Sequence, residues 1–485
     1  MKRGLLIVYI LLSLQTVAQK SSRAFDYKPT DSIITAISTK YEERSWLHRL
    51  VMGKNYRDTW STPVKLPVFY LSNSGLKIEK LGGGQQTASL RLKDAAGKEW
   101  VLRSVDKTVK KAIPQQLNNT IVEDVVQDMI SASYPYSPLI VAHLAEATHI
   151  IAPVPKLYFV AEDKALGEYK SLFANTVCLI EEREPTPDGS GTDGTDEVKD
   201  KITQENEHLV LQKKVLKARL LDMLVGDWDR HADQWRWDEI DSAQTEYYYA
   251  IPRDRDNALF HSGGLLPAIA KISFMTHISG FKEKSTGLVK LNRKSHSFDK
   301  IFLNELTSAE WEQIITEFVQ ELDDKVIEAS VKKLPEPVYS LDGVELASKL
   351  KSRRDGLLEN GMRYYRFLSK MVNVSGTDEE EKFVAKGVGE KLLISMYRVE
   401  KNGSYKIYER LFDPGETGTV SIYGLKGNDQ FVVEETARSK IRLRLYGNEG
   451  HDSYNIKGKT RSKIFDDKDE GNRASVIIPA GKVLN

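Results

Sequence analysis

The stretch from Leu220 to Phe260 constrains the chain most. It reads as a buried helix, Leu220 to Val225, then a polar loop, Gly226-Asp227-Trp228-Asp229-Arg230-His231-Ala232-Asp233-Gln234. A strand Trp235 to Trp237, a turn, and a second strand Tyr247 to Ile251 follow, and then a second acidic loop, Pro252-Arg253-Asp254-Arg255-Asp256-Asn257. Antiparallel strands bring their outer ends together, so the two carboxylate clusters must lie near each other. That arrangement suits a divalent cation and a phosphate.

Around it the chain is long enough, at 485 residues, to divide into two or three domains. Seventy basic against 69 acidic residues leave a net charge of +1, so no global field attracts nucleic acid or an anionic membrane. Residues 1–18 carry the parts of a secretory signal: Lys2 and Arg3, an apolar run from Leu5 to Leu14, then Thr16-Val17-Ala18. The expectation is export, to a periplasmic or envelope location, and solubility after cleavage. The single cysteine, Cys178, sits in an apolar run, excludes an internal disulfide framework, and reads as a buried core thiol.

Residues 19–74 read as a leader that packs on the domain behind it. From Leu76 the pattern is strand, glycine turn, strand: Leu76 to Leu81, then Gly82-Gly83-Gly84-Gln85-Gln86, then Thr87 to Leu92, with a third strand Glu99 to Arg103. Glycines between strands let backbone N–H groups approach a phosphate closely, although Gly-rich hairpin turns are also common without one. Thr120-Ile121-Val122-Glu123 fits a capping box, two strands follow at 156–161 and 175–180, and Pro187 to Asp200 has the composition of a flexible insertion. A helix is expected from about Leu209, and residues 307–371 keep helical apolar spacing.

From Asn373 alternating strands mark a separate β domain. It contains an internal echo: Tyr423-Gly424-Leu425-Lys426-Gly427-Asn428-Asp429-Gln430-Phe431 against Tyr446-Gly447-Asn448-Glu449-Gly450-His451-Asp452-Ser453-Tyr454. The spacing is similar to calcium-binding β-roll repeats, but two copies so far apart are expected not to stack like contiguous nonapeptides. Plain Asp-Gly turns are therefore preferred to Ca2+.

The order of elements in residues 75–372 resembles a protein-kinase-like fold, most closely the atypical kinases with an Asp-Arg-His catalytic loop: phosphatidylinositol, secretory-pathway, HipA-type and CotH kinases. Asp229-Arg230-His231 with Gln234 matches Asp-Arg-His-x-x-Asn except at the last position, and Pro252-Arg253-Asp254-Arg255-Asp256 resembles the CotH Pro-Trp-Asp-x-Asp element. The resemblance implies an α+β class: a β-rich N-lobe over 75–183, an insertion at 184–206, a helical C-lobe over 207–372, and a small all-β domain over 373–485. It implies ATP and Mg2+ as cofactors and phosphoryl transfer, a reaction carried by positioning and charge neutralisation. Asp229 would orient the attacking hydroxyl, flanked by Arg230 and His231. Asp254, Asp256 and Gln234 would hold the metal. Gly82, Gly83, Gly84, Arg103 (or Lys107) and the hinge-like strand end at Glu182 would contact the nucleotide, with Glu123 as helix partner of the base. Arg103 for Lys and Gln234 for Asn are departures, and they keep a non-catalytic pseudokinase or scaffold open beside a kinase acting on a protein or glycan hydroxyl. The absence of ATP from an exported bacterial compartment points the same way. An outer-membrane partner for the β domain is a further expectation. Gly226-Asp227-Trp228-Asp229-Arg230 is also similar to the Gly-Asp-x-x-Asp-Arg of metallophosphoesterases, but it is one residue short and the other metal ligands are missing. His231 as a zinc ligand lacks companions at ligand spacing.

Overall fold

The computed structural model describes residues 25–42, 45–82, 87–109, 116, 121–187, 189–242, 245–265, 280–285, 287–401, 403–466 and 475–477. The signal-like segment 1–18 and the capping residue Thr120 lie outside them.

A seven-stranded sheet carries the first half of the chain. Its strands are β1 (Ser32–Thr35), β2 (Val64–Phe69), β3 (Lys77–Gly82), β4 (Ser89–Lys93), β5 (Glu99–Ser104), β6 (Lys156–Val160) and β7 (Thr176–Glu182), in the order β1-β2-β6-β7-β5-β4-β3. The expected leader therefore does more than pack on this body: β1 and β2 are part of its sheet. On β5, Leu102 is fully buried against Leu90, Leu92, Cys178 and Ile180 on one face, while Val101 and Arg103 look out of the other, as the two-residue period of a strand requires. Cys178 is buried, and that burial pushes its thiol up to about 12.

The second sheet is built on the predicted hairpin. β10 (Trp235–Ser242) and β11 (Thr245–Pro252) pair antiparallel with Trp235 opposite Pro252, flanked by β8 (Asp193–Gly194) and β9 (His208–Val210). The composition of 187–200 suggested flexibility, yet its described residues include the strand β8 and the start of a helix. The Glu197 carboxylate accepts from the Gly194 N–H at 2.5 Å and starts a helix, Thr195–Gln204, whose Val198 is fully buried. Tertiary contact decides this, because the Thr195 hydroxyl donates to the Ala232 carbonyl at 2.7 Å and so ties the insertion to the first acidic loop.

The helix Gln212–Val225 begins three residues later than its apolar spacing suggests, because His208–Val210 pairs in parallel with β11 instead. Ten of its residues are buried, Arg219 and Asp222 among them. It stops at Gly226, whose φ of 71° is left-handed. The buried Arg353 donates to the carbonyls of Met223 and Leu224 at 2.7 and 2.6 Å, which satisfies acceptors that a helix end leaves open. Helices Ser308–Glu321 and Val344–Asp355 pack against it, and Asp324–Val331 and Leu357–Ser369 pack in turn on those, in one core that includes Ile315, Phe318, Ile327, Leu350 and Tyr364.

The C-terminal part of the chain, from Met371 on, has its own core. Strands β12 (Met371–Ser375), β16 (Thr419–Leu425), β18 (Arg442–Asn448) and β20 (Ser462–Phe465) form one parallel sheet. Strands β13 (Glu381–Val388), β17 (Gln430–Val433), β19 (Ser453–Ile456) and β21 (Ser475–Ile477) form another, extended at the β13 edge by an antiparallel hairpin of β14 (Lys391–Glu400) and β15 (Gly403–Phe412). This is a coil of stacked rungs, a β-solenoid. The two echo copies, expected not to stack like contiguous nonapeptides, stack instead as successive longer turns. Each segment closes one full turn, so Tyr423 lies over Tyr446 and Phe431 over Tyr454, with ring centroids 4.5 and 4.9 Å apart. The Asp429 N–H donates to Asp452 Oδ1 at 2.9 Å and the Glu381 N–H to Asp429 Oδ1 at 2.8 Å, giving three buried carboxylates in a column. The turn glycines make room for it: a Cβ on Gly447 would stand 2.0 Å from Asp452 Oδ2.

Candidate functional site

A cleft of about 860 Å³ lies between the open face of β4 and β5 and the two acidic loops. Ser89, Arg91, Val101 and Arg103 line the sheet side; Trp228, Asp229, His231, Asp254, Asp256 and Asn257 line the loop side. The loops meet as the hairpin demands, with the Arg253 N–H reaching the Gln234 carbonyl at 3.0 Å just beyond the last strand pair.

Arg230 locks the two loops together. Its guanidinium donates to the carbonyls of Arg253 (2.5 Å), Asp254 (3.2 Å) and Gln234 (3.2 Å) and to Gln234 Oε1 (2.9 Å), and it stacks on Trp235. It is fully buried. The role expected for Arg230 beside the reacting groups is therefore corrected to a clamp, since a side chain with no accessible surface touches no substrate. Gln234 is corrected with it: the amide oxygen expected to face a metal already accepts from Arg230, and the side chain is buried. Beneath the clamp, Asp222 sits among Arg219, Arg230 and Arg255, and Arg219 continues to Asp299 at 2.8 Å.

Asp254 has a φ of 56°, an uncommon conformation for a residue with a Cβ, and Arg230 holds its carbonyl there. Its carboxylate meets Arg103 Nη1 at 2.5 Å. Burial pushes this carboxyl up, but Arg103, Lys107, Arg230 and Arg253 together outweigh burial and hold it below the usual range. Asp256 pairs with Lys107. Burial and the neighbouring Asp254 charge raise its carboxyl against the pull of Lys107. Two close carboxylates thus hold their charge unequally, as expected when like charges share a site.

Asp229 faces the same cleft. Lys294 Nζ lies 2.5 Å from one of its oxygens and Asn257 Nδ2 donates to the other at 3.3 Å. Its own N–H donates to Asp227 Oδ1 at 3.2 Å, and burial pushes the Asp227 carboxyl up to about 7. His231 lies at the cleft with its ring 3.5 Å from both Asp233 and Gln234 Nε2.

On β7 the alternation of the strand separates two acids. Glu181 turns to the cleft side and reaches Arg103 at 3.4 Å, whereas Glu182 turns to the opposite face and pairs with Lys98 at 2.7 Å. Glu182, expected as the hinge-like strand end at the nucleotide, therefore turns its side chain away from the cleft, and Glu181 is the acid of this strand that faces it. Gly82 closes β3, opposite Ser89; Gly83 and Gly84 lie outside the described residues. Arg103 takes Asp254 and Glu181, and Lys107 takes Asp256, so these three carboxylates occupy the place expected for Glu123.

Sequence reasoning missed Lys294 and Asn257. Lys294 stands 65 residues from its partner, with no spacing signal to betray it. Asn257, in contrast, was visible as an amide directly after the acidic loop. Among the described residues no three His, Cys, Asp or Glu side chains converge as a metal cage; Asp254 and Asp256 offer two carboxylates on one loop.

No protein-family profile matches the chain, and no curated protein matches its sequence. Two solved structures are similar in part. CtkA, a proinflammatory kinase of Helicobacter pylori, aligns at 9% identity over 62% of this chain and 100% of its own, with a TM-score of 0.31. The Rio2 kinase of Chaetomium thermophilum, in an ADP/Mg2+-phosphoaspartate complex, aligns at 10% identity over 58% of this chain and 71% of its own, with a TM-score of 0.26. Scores of this size leave the reading of the cleft to its own geometry.

Proposed function

We propose that residues 75–372, with β1 and β2 of the preceding segment completing the sheet, form a two-lobed, kinase-like unit whose cleft binds a nucleoside triphosphate with Mg2+, the C-terminal solenoid being a separate module. One observation carries this: loops at the two ends of a single hairpin present Asp229 on one side and Asp254 with Asp256 on the other to a common cleft, beneath a sheet face bearing Arg103.

The residues present fit such a ligand. Two carboxylates on one loop are what Mg2+ takes from protein when phosphates and water complete its shell. The cleft has room, and Arg253 Nε is buried there without a hydrogen-bond partner. Bound at Asp254 and Asp256, Mg2+ would neutralise charge on the transferred phosphoryl group. Arg103 and Lys107 hold those carboxylates ready, and Asp229, oriented by Asn257, is placed to accept a hydroxyl proton. The signal-like N-terminus supports export to the cell envelope, with a protein or glycan hydroxyl as acceptor and the solenoid as the surface for an envelope partner.

A second reading, a pseudokinase that binds nucleotide without transfer, is favoured by one specific contact: Asp229 is already neutralised by Lys294. Calorimetric titration of Mg2+ and ATP into the full chain tests the first reading. Wild type should bind, Asp254→Ala should not, and no binding by wild type sinks the proposal. Transfer from radiolabelled ATP to the chain itself or to envelope extract separates the two readings. Label that is lost in Asp229→Asn marks a kinase, whereas binding with no label marks the pseudokinase.

A further inference from the structure

Six cationic side chains line the cleft: Arg91, Arg103, Lys107, Arg183, Arg253 and Lys294. Four are matched. Arg103 pairs with Asp254 and Glu181, Lys107 with Asp256, Arg183 with Glu99 and Glu184, and Lys294 with Asp229. Arg91 and Arg253 have no carboxylate oxygen within 4.0 Å among the described residues.

Arg253 is the better placed of the two. Its backbone is pinned on both sides, by the Gln234 carbonyl at its N–H and by Arg230 at its carbonyl. Its Nε is buried and makes no hydrogen bond. Of the other cations lining the same cleft, Arg103 and Arg183 are taken up in pairs of their own. A pinned guanidinium with free donors, facing a cleft that has space, is the chemistry that seats a phosphate, which takes two parallel N–H bonds from an arginine fork.

We propose that Arg253, with Arg91 on the sheet side of the cleft, seats the phosphate chain of the ligand, leaving Arg103 and Lys107 to hold the acidic loop. This rests on the nucleotide reading above for the identity of the ligand, though the seat itself requires only a polyphosphate. Recognition should follow phosphate number: tripolyphosphate and nucleoside triphosphates bind best, the diphosphate less well, and the monophosphate and free nucleoside least.

The experiment is calorimetric titration of ATP, ADP, AMP and inorganic tripolyphosphate, with Mg2+, into the full chain and its Arg253→Gln, Arg253→Lys and Arg91→Gln variants. Circular dichroism melts serve as the folding control. Arg253→Gln should weaken ATP and tripolyphosphate at least roughly 10-fold, the scale of one lost charge-assisted bond, and Arg253→Lys should recover part of the loss. If Arg253→Gln does not fold, Arg91→Gln and the charge-keeping Arg253→Lys carry the comparison. ATP binding that is unchanged in folded Arg253→Gln, or in Arg91→Gln and Arg253→Lys alike, overturns the seat and leaves the nucleotide reading standing. Tripolyphosphate binding that depends on Arg253, with no binding of ATP, overturns the nucleotide reading and leaves the seat standing. No binding of either by wild type overturns both.

Discussion

At the scale of single residues, the molecule is shaped by buried charge that is matched in two ways. Around Asp222 the match is made with opposite charge: Arg219, Arg230 and Arg255 converge on one buried carboxylate. Removing one member of a buried pair strands its partners, so Asp222→Ala should cost ~3–5 kcal/mol in urea unfolding, with Asp222→Asn recovering little. In the solenoid the match is made with a proton instead. Asp429 is fully buried and pairs with no cation among the described residues, and burial pushes its carboxyl up to about 9, with the charges of Glu381 and Asp452 adding to the rise. A carboxyl raised on folding takes up a proton. Its stabilising effect is complete below the unfolded range near pH 4 and drains away as pH rises toward 9. Wild type should therefore lose stability across that window, by up to ~1.4 kcal/mol per pH unit from this group. Asp429→Asn keeps an oxygen for the Glu381 N–H and should flatten the profile; an unchanged slope would contradict the neutral form.

At the scale of elements, the hairpin and the solenoid rung are the two units that determine what can approach what. The hairpin brings Asp229 and Asp254 to one cleft only because Trp235 pairs with Pro252; a register slip of one residue would send both loops to the wrong faces. The rung depends on glycine where backbone or carboxylate passes close. A Cβ on Gly450, which has a φ of 126°, would stand 1.6 Å from the Gly427 carbonyl oxygen, and one on Gly447 would meet both Asp452 and the Tyr454 hydroxyl. Gly450→Ala should destabilise the C-terminal module by ~2–3 kcal/mol or more, from overpacking with added left-handed strain. Far-UV circular dichroism read beside a surface control, Lys457→Ala, checks this. Each rung also presents an outer ring to the next, Tyr423 over Tyr446 over Phe465 at 4.5 and 4.6 Å. These contacts fix the pitch of the coil as well as contributing area.

At the scale of the whole molecule, the two cores are joined by a short set of directed bonds. Arg410 reaches the Asn304 carbonyl at 2.6 Å and Ser369 Oγ at 3.0 Å, Tyr408 shares that carbonyl at 3.0 Å, and Asn206 donates to Glu381 at 2.9 Å. All seven tryptophans precede residue 312, so indole fluorescence reports the first core, while far-UV circular dichroism reports both. Wild type should unfold with the two signals coincident. Arg410→Ala removes a buried guanidinium from three acceptors, the Asn304 carbonyl, Tyr365 Oη and Ser369 Oγ, should cost roughly 2–3 kcal/mol, and should separate the signals. Coincident curves in that variant would mean that the cores couple by other contacts.

The sequence by itself determined the hairpin with its two acidic ends, the strands beneath it, the helical run of 307–371 and the change to β structure after Asn373. Period, caps and turn residues act within a few positions of chain, and the letters carry them. Only the tertiary structure decided which carboxylate of Glu181 and Glu182 faces the cleft, that Arg230 and Gln234 are spent on holding loops together, and that Lys294 stands on Asp229. It alone brought two separated echoes into register as successive rungs. Those outcomes depend on which face of a strand is buried and on which residues distant in sequence become neighbours, and both are settled only when the whole chain closes over its cores.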